Sequence, residues 1–219
     1  MPKKPRFKAI LFDFGGVLTS SPFDAFNRYE IENGIPKNFI RKLNSQNPDS
    51  NAWARFESGK TTLDEFDAEF LMESTQAGYR ISGRTVISLL HGKVRPRMVR
   101  VVERCKRHFK VACLTNNMPA DQDTTTVQTS SEERSVKHIM QLFNLVVESS
   151  REGVRKPQIP FYQIACDRLG INANRCIFLD DLGINLKPAR EMGMTTIKVV
   201  SEIQAITDLE IHTGLDLSD

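Results

Sequence analysis

Five short apolar runs recur along this chain of 219 residues, and they constrain its fold more than any other feature. Patterns typical of amphipathic helices separate the last four runs. Strands that alternate with helices in this way predict a parallel sheet with helices on both faces. The first run is apolar throughout, as expected for a strand that is buried on both sides. The runs comprise residues 9–12, 111–114, 145–147, 176–179 and 195–200.

Polar residues follow directly after four of these runs, where each predicted strand ends. The carboxyl ends of parallel strands meet along one edge of the sheet, and open α/β folds bind their ligands there. Lys156, in the loop after the third run, is near enough in sequence to reach the same edge. Each residue alone could serve as a turn or capping residue, but together they predict an active site. The residues after the runs are Asp13, Thr115 with Asn116, Glu148 with Ser149, and Asp180 with Asp181.

Three of these side chains are aspartates whose carboxylates would repel one another at close range. Crowding of Asp13, Asp180 and Asp181 should raise some of their pKa values unless a cation lies among them. A hard divalent ion with oxygen ligands removes this repulsion, and Mg²⁺ is the common choice inside cells. The sequence therefore predicts a Mg²⁺ site at this edge of the sheet.

The same residues indicate covalent phosphate chemistry. With a metal bound, Asp13 keeps an oxygen that can attack phosphorus, and carboxylate nucleophiles form aspartyl-phosphates in known enzymes. We expect Thr115, Asn116 and Lys156 to bind the substrate. Thr115 and nearby backbone N–H groups would hold the phosphoryl oxygens, and Lys156 would neutralise both Asp13 and the phosphoryl group. The predicted catalytic residues are therefore Asp13, Thr115 and Lys156.

Residues 20–95 differ from the rest of the chain because they lack runs of the buried-strand type. Short helical patterns broken by Gly, Pro and Asn fill this region, and one of them predicts a helix over residues 36–43. Thr62 and Glu65, three residues apart, form a capping box that predicts the start of another helix. We interpret residues 20–95 as a helical cap that is inserted into the core. The predicted core domain comprises residues 1–19 and 96–219.

Composition narrows the possible partners and the compartment. The net charge of +3 arises from 30 basic and 27 acidic residues, a mixture that argues against a nucleic-acid binder. No apolar run approaches the roughly 20 residues that span a bilayer. Residues 1–6 are basic and lack the apolar segment of a secretory signal. The four cysteines lie in apolar patterns without CxxC spacing, which favours buried free thiols in a reducing compartment.

These features together predict a soluble cytoplasmic protein without a nucleic-acid or membrane partner. The phosphate chemistry at the strand ends predicts that its partner is a small phosphorylated or anionic metabolite. The sequence does not predict the oligomeric state.

Four segments of the chain resemble the four motifs of the haloacid dehalogenase-like hydrolase superfamily. The likeness extends over essentially the whole chain. Residues 180–194 and 209–217 are most similar to the N-terminal phosphatase domain of soluble epoxide hydrolase and to the corresponding domain of the acyl-CoA dehydrogenase family member 10 and 11 group. The resemblance implies a Rossmann-like core with a helical cap inserted after the first strand. The four segments are residues 12–18, 114–116, 154–157 and 178–190.

The resemblance also implies a role for each residue around Asp13. Mg²⁺ would be held by Asp13, by the backbone carbonyl of Gly15 and by Asp181. Asp180 would support the metal site from beside it, and Asn185 would help to order the loop after the fourth strand.

Position 15 departs from the pattern of this superfamily. Its typical phosphatases have a second aspartate there, which protonates the leaving oxygen and later activates water, whereas this chain has Gly15. Loss of a general acid-base group typically lowers the rate by about 10²- to 10⁴-fold. The favoured interpretation is a Mg²⁺-dependent phosphatase that is slow or specialised for a good leaving group. The alternatives are an impaired domain that binds phosphorylated or CoA-like ligands and, less favoured, a 2-haloacid dehalogenase, whose chemistry requires no leaving-group proton.

Overall fold

The five apolar runs form the five strands of a single sheet in a computed structural model of the chain. The structure describes residues 6–90, 92–119 and 131–217. The strands are β1 (Ala9–Phe12), β2 (Lys110–Thr115), β3 (Leu145–Glu148), β4 (Cys176–Asp180) and β5 (Thr195–Lys198). Their order across the sheet is β3-β2-β1-β4-β5, and every neighbouring pair is parallel. The predicted α/β fold with a parallel sheet is therefore confirmed.

Helices fill the connections between the strands. Those between β1 and β2 are α1 (Pro22–Glu32), α2 (Phe39–Ser45), α3 (Ala52–Glu57), α4 (Leu63–Gln76), α5 (Gly83–Ser88) and α6 (Pro96–Lys106). Those after β2 are α7 (Ser131–Met140), α8 (Ser149–Glu152), α9 (Ile159–Leu169), α10 (Gly183–Glu191) and α11 (Glu202–Thr213). A short 3₁₀ helix (Ala173–Arg175) precedes β4.

Alternate residues of the central strand β1 contribute to two apolar clusters on opposite faces of the sheet. Ile10 and Phe12 belong to the cluster that includes residues of α6 and α11. Ala9 and Leu11 belong to the cluster that includes residues of α9 and α10. All four residues are completely buried, and burial of one large apolar side chain typically contributes about 1.5–3 kcal/mol. This two-sided burial explains why the run contains no polar residue, and it fixes the end of β1 at the centre of the sheet.

Helices α1 to α5 pack around a third apolar cluster that contains no strand residue. Aromatic rings dominate this cluster; those of Phe56 and Phe66, for example, stack with their centroids 4.6 Å apart. The chain passes between this helical region and the sheet twice, and the two crossings pair through an antiparallel bridge between Thr19 and Val94. We therefore propose residues 20–95 as a cap, with the remainder of the chain as the core.

The structure corrects the predicted start of one cap helix. The pattern predicts a helix from Pro36, but α2 begins at Phe39, because Asn38 adopts a left-handed conformation with φ of 64°. The buried carboxylate of Glu30, on α1, accepts hydrogen bonds from the backbone N–H groups of Asn38 (2.5 Å) and Ile40 (2.8 Å). A side chain from another helix thus caps α2 and sets where it begins.

Two further predictions are confirmed by the structure. Thr62 and Glu65 form the reciprocal hydrogen bonds of a capping box at the start of α4. All four cysteines are buried and unbridged. Within the described part of the chain, no helix combines the length and the apolar character needed to cross a bilayer.

Candidate active site

The carboxyl edge of the sheet brings together side chains from its three central strands. Asp13 directly follows β1, and Phe12 is in register with Cys113 of β2 and Leu179 of β4. The ends of these two strands, Thr115 and Asp180, therefore flank Asp13. All three residues are buried, with exposed fractions of 8% for Asp13, 7% for Thr115 and 0% for Asp180, so they lie in a region of low dielectric.

Lys156 extends from the loop after α8 into this buried group. Its ammonium lies 2.8 Å from Oδ1 of Asp13 and 2.8 Å from Oδ2 of Asp180, and its side chain is 1% exposed. Burial favours the neutral amine, but the charges of Asp13 and Asp180 outweigh this effect and raise the pKa of Lys156. Lys156 is therefore a fixed cation that bridges two carboxylates, as its predicted counter-charge role requires.

The two oxygens of Asp13 differ in their surroundings. Oδ1 accepts hydrogen bonds from the backbone N–H of Phe14 (2.7 Å) and from Lys156. Among the described residues, none donates a hydrogen bond to Oδ2, since both contacts are to Oδ1. Burial raises the pKa of Asp13 well above its ordinary value, Lys156 opposes the shift, and Asp180 and Asp181 add to it. A further cation would favour the ionised form and leave Oδ2 as a nucleophile.

Asp180 is held by more partners than Asp13. Its Oδ1 accepts from the backbone N–H of Leu182 at 2.8 Å, and the side-chain amide of Asn185 donates to both carboxylate oxygens at 3.1 Å. Tyr162 in turn donates to the backbone carbonyl of Asn185 at 2.7 Å. These contacts fix the loop between β4 and α10, while the supporting role of Asp180 at a metal stays a prediction.

The carboxylates fit a small divalent cation. Asp13, Asp180 and Asp181 each offer an oxygen within 4.8 Å of the others, and hard cations such as Mg²⁺ prefer such oxygen ligands. Gly16, with φ of +74°, leaves room for this arrangement because a Cβ there would overlap the carboxylate of Asp181. The donor set and its packing therefore suit the predicted Mg²⁺, with Asp181 the most accessible of the three carboxylates.

Gly15 differs from its neighbour in the space around it. A Cβ at position 15 would have only Cδ of Pro22 near it, at 3.9 Å, and the backbone of Gly15 is outside the left-handed region. Pro22 is the first residue of α1, so a Cβ at position 15 would lie beside the start of that helix. Packing around position 15 therefore does not require glycine, even though the residue at this position carries no carboxylate.

Asn116 lies beside the other predicted site residues, but its amide is engaged within the protein. Oδ1 accepts from the backbone N–H of Lys156 at 2.9 Å, and Nδ2 donates to the Lys156 carbonyl at 3.0 Å and to Glu57 at 3.3 Å. A role for its side chain in binding substrate stays a prediction. Glu57 and its partner Arg155 were not among the predicted site residues. Nothing in the sequence distinguishes an acidic residue at the end of a short helix from a solvent-exposed one.

Replacing Asp181 with asparagine should stabilise the metal-free protein at neutral pH. Burial and the charge of Asp180 raise the pKa of Asp181 to about 6 from an ordinary 3.8. The ionised carboxylate therefore disfavours folding by 1.36 kcal/mol per pKa unit, a cost that begins above about pH 4 and is complete above about pH 6. We expect D181N to gain on the order of 1–3 kcal/mol in free energy of unfolding at neutral pH with EDTA.

Chemical denaturation across a pH series measures this gain, which should disappear below about pH 4, where the carboxyl is protonated in both states. The exposed Asp49 provides a matched control, and D49N should change stability little. Added Mg²⁺ should stabilise the wild type more than D181N. A loss of stability in D181N at neutral pH with EDTA would show that the clustered carboxylates do not repel one another.

Comparisons with known proteins agree with this geometry. A family model for haloacid dehalogenase-like hydrolases matches residues 7–193. Acyl-CoA dehydrogenase family member 10 from Mus musculus is 33% identical over 95% of this chain and 20% of its own length. Bifunctional epoxide hydrolase 2 from Mus musculus is 29% identical over 94% of this chain and 39% of its own length. The chain thus spans about one fifth and two fifths of these two relatives.

A third relative has nearly the same length as this chain. Sesquiterpene phosphatase astK from Aspergillus oryzae is 25% identical over 95% of this chain and 97% of its own length. Among solved structures, a HAD family enzyme from Bacteroides thetaiotaomicron in complex with magnesium and inorganic phosphate has a TM-score of 0.59 at 17% identity, over 90% of this chain and 96% of that one. At this identity the structural likeness establishes the fold alone.

Proposed function

Because the chain belongs to the haloacid dehalogenase-like hydrolase family, we propose that this hydrolase is a Mg²⁺-dependent phosphatase acting on a small phosphorylated metabolite. The observation that carries the proposal is the bridge from Lys156 to Asp13 and Asp180, which holds one oxygen of Asp13 and leaves the other for attack. The phosphatase name of the Aspergillus relative supports it, as do the magnesium and phosphate bound to the Bacteroides enzyme.

The substrate phosphoryl group would bind between Thr115 and Lys156. The backbone N–H groups of Gly15 and Asn116 have no acceptor among the described residues, so they are available to its oxygens. Mg²⁺ would be held by Asp13, by the carbonyl of Gly15 and by Asp181, with support from Asp180. When bound, it would offset the charge of the attacking carboxylate and of the phosphoryl oxygens.

Turnover would proceed in two displacements at phosphorus. Oδ2 of Asp13 attacks, the bond from phosphorus to the ester oxygen breaks, and that oxygen departs with the electron pair. Lys156 stabilises the charge that builds up on the phosphoryl oxygens. Water then attacks the aspartyl-phosphate, inorganic phosphate leaves, and the carboxylate of Asp13 is restored while the water proton passes to solvent.

The glycine at position 15 restricts the substrates that this route can use. With no carboxyl group there, the leaving oxygen departs without a proton from that position. Leaving groups that are stable as anions suffer least, so aryl and acyl phosphates should be hydrolysed faster than alkyl phosphates. We therefore propose a substrate whose leaving group has a low pKa.

Removal of the metal tests the proposal directly. Phosphate release from an aryl phosphate such as para-nitrophenyl phosphate should fall to the background rate when EDTA is added, because the repulsion among Asp13, Asp180 and Asp181 is then uncompensated. Excess Mg²⁺ should restore the rate. Hydrolysis that continues unchanged in EDTA would contradict a Mg²⁺-dependent mechanism.

A second candidate function is a binding domain for phosphorylated or CoA-like ligands that does not complete turnover. It is favoured by Gly15, because the position that carries the general acid in typical phosphatases of the superfamily has no carboxyl group in this chain. Calorimetry with a phosphorylated ligand and Mg²⁺ separates the two functions. Saturable binding without phosphate release would favour the binding domain.

A further inference from the structure

A carboxylate of the cap is buried where the cap meets the core. Glu57 is the last residue of α3, and its side chain is 8% exposed. Its backbone carbonyl accepts a hydrogen bond from Ser149 Oγ of the core at 2.6 Å. Two residues later, Gly59 lies so close to the carbonyl of Ser150 that a Cβ there would overlap it. The cap backbone and the core backbone are thus in direct contact beside Glu57.

The carboxylate of Glu57 contacts two core residues, each adjacent in sequence to a predicted catalytic residue. Its Oε2 pairs with Nη1 of Arg155 and accepts from Nδ2 of Asn116. Arg155 immediately precedes Lys156, and Asn116 immediately follows Thr115. A single cap side chain therefore joins the ends of the two segments that carry Thr115 and Lys156.

Asn116 holds the backbone of Lys156 on both sides. Its Oδ1 accepts from the Lys156 N–H at 2.9 Å, and its Nδ2 donates to the Lys156 carbonyl at 3.0 Å. Nδ2 also donates a second hydrogen bond, to the Glu57 carboxylate. Glu57 of the cap thus accepts a hydrogen bond from the same amide that holds the Lys156 backbone.

The charge of Arg155 adds a second link between the cap and the core. Its side chain is 12% exposed, and its second guanidinium nitrogen donates to the carbonyl of Pro48 in the cap at 3.0 Å. A buried ion pair that loses one partner leaves an uncompensated charge, which disturbs the local structure strongly. Neutralising Glu57 should therefore shift Arg155 and the residue attached to it, Lys156.

We propose that Glu57 is a positioning residue that makes the placement of Lys156 depend on the seating of the cap. The inference rests on the proposed function, because Lys156 affects turnover only if Asp13 and a phosphoryl group react beside it. The Lys156 ammonium must lie within hydrogen-bonding reach of Asp13, and a misplacement of about 1 Å can lower a rate about 10²-fold. Glu57 does not touch the reacting atoms and acts through Asn116 and Arg155.

The test compares Glu57→Gln with a matched cap variant, Glu69→Gln. Glu69 pairs with Arg55 at 2.6 Å, so E69Q also removes one charge from an ion pair of α3, but this pair lies wholly within the cap. Amide hydrogen exchange at Lys156 is the first measurement, since its N–H donates to Asn116 and exchange reports local opening. It should become about tenfold faster in E57Q and stay unchanged in E69Q.

The second measurement is the kinetics of para-nitrophenyl phosphate hydrolysis with Mg²⁺. We expect E57Q to lower kcat about tenfold and to change KM less than about twofold, because Lys156 stabilises charge formed in the transition state. A role in anchoring the cap alone would raise KM or lower thermal stability and leave kcat unchanged. That pattern, or unchanged exchange at Lys156, would overturn the proposal.

The two measurements separate this inference from the proposed function. If the wild type hydrolyses no phosphate ester, the proposed function fails, and hydrogen exchange still decides whether Glu57 controls Lys156. If E57Q does not fold, the double variant E57Q/R155Q leaves no buried charge unpaired. This double variant lacks the ion pair between cap and core, so it should still show faster exchange at Lys156 and a lower kcat than the wild type, and wild-type values for both would overturn the inference.

Discussion

Replacing Gly15 with aspartate should raise the rate of phosphate-ester hydrolysis by about 10²- to 10⁴-fold, the usual contribution of one general acid-base group. The carboxyl group would protonate the leaving oxygen in the first displacement and take a proton from water in the second. The structure accepts the change, because a Cβ at this position meets only Cδ of Pro22, at 3.9 Å, and the backbone needs no left-handed conformation. Steady-state kinetics with Mg²⁺ measure the gain.

Two features of the result would identify the added acid as its cause. Gly15→Asn has the same shape without a titratable proton, so it should give no gain. The gain from G15D should be larger for an alkyl phosphate than for an aryl phosphate, since the alkoxide requires the proton more. A folded G15D that binds Mg²⁺ but gains no activity would favour the binding domain over the phosphatase.

Replacing Asp13 with asparagine should lower turnover by about 10⁴-fold or more, a loss of the size seen when a hydrolase nucleophile is removed. The amide cannot form the covalent bond to phosphorus, so the first displacement is lost rather than slowed. The variant keeps an oxygen that can accept from the N–H of Phe14, and Lys156 keeps Asp180 as its partner. Phosphate release from an aryl phosphate measures the loss.

The fold of D13N should be intact, and this provides the control. Burial raises the pKa of Asp13, so its ionised form opposes folding at neutral pH. Its loss also removes one partner of Lys156, which keeps Asp180 at 2.8 Å. Because these two effects oppose each other, thermal unfolding with EDTA should give D13N a stability close to that of the wild type. Activity that persists in a correctly folded D13N would exclude Asp13 as the nucleophile.

The sheet and the approach of its strand ends could be predicted because both depend on local patterns. The run at residues 9–12 is apolar at every position, and burial on two faces requires that composition. The rule that parallel strands end at one edge then places Asp13, Thr115 and Asp180 along the same edge, while the strand order that sets Asp13 between the other two comes from the structure. This prediction requires no knowledge of distances between residues. The register of β1 with β2 and β4 in the structure agrees with it.

Contacts between distant segments could not be predicted in the same way. The start of α2 depends on Glu30, whose side chain reaches backbone groups eight and ten residues further along. Glu57 meets Asn116 and Arg155 across 59 and 98 residues. A helix pattern records which face is apolar, but it does not record which acidic side chain on that helix will be buried against a partner.

The bridge formed by Lys156 also determines which ions can complete the site. Asp13, Asp180 and Asp181 carry three negative charges when ionised, and the lysine carries one positive charge, so the cluster has a net charge of −2. A divalent ion brings it to neutrality, whereas a monovalent ion leaves one charge in a buried region where charge is costly. The lysine would thus make the site favour a divalent over a monovalent ion, in addition to the preference for hard metals that its oxygen ligands would confer.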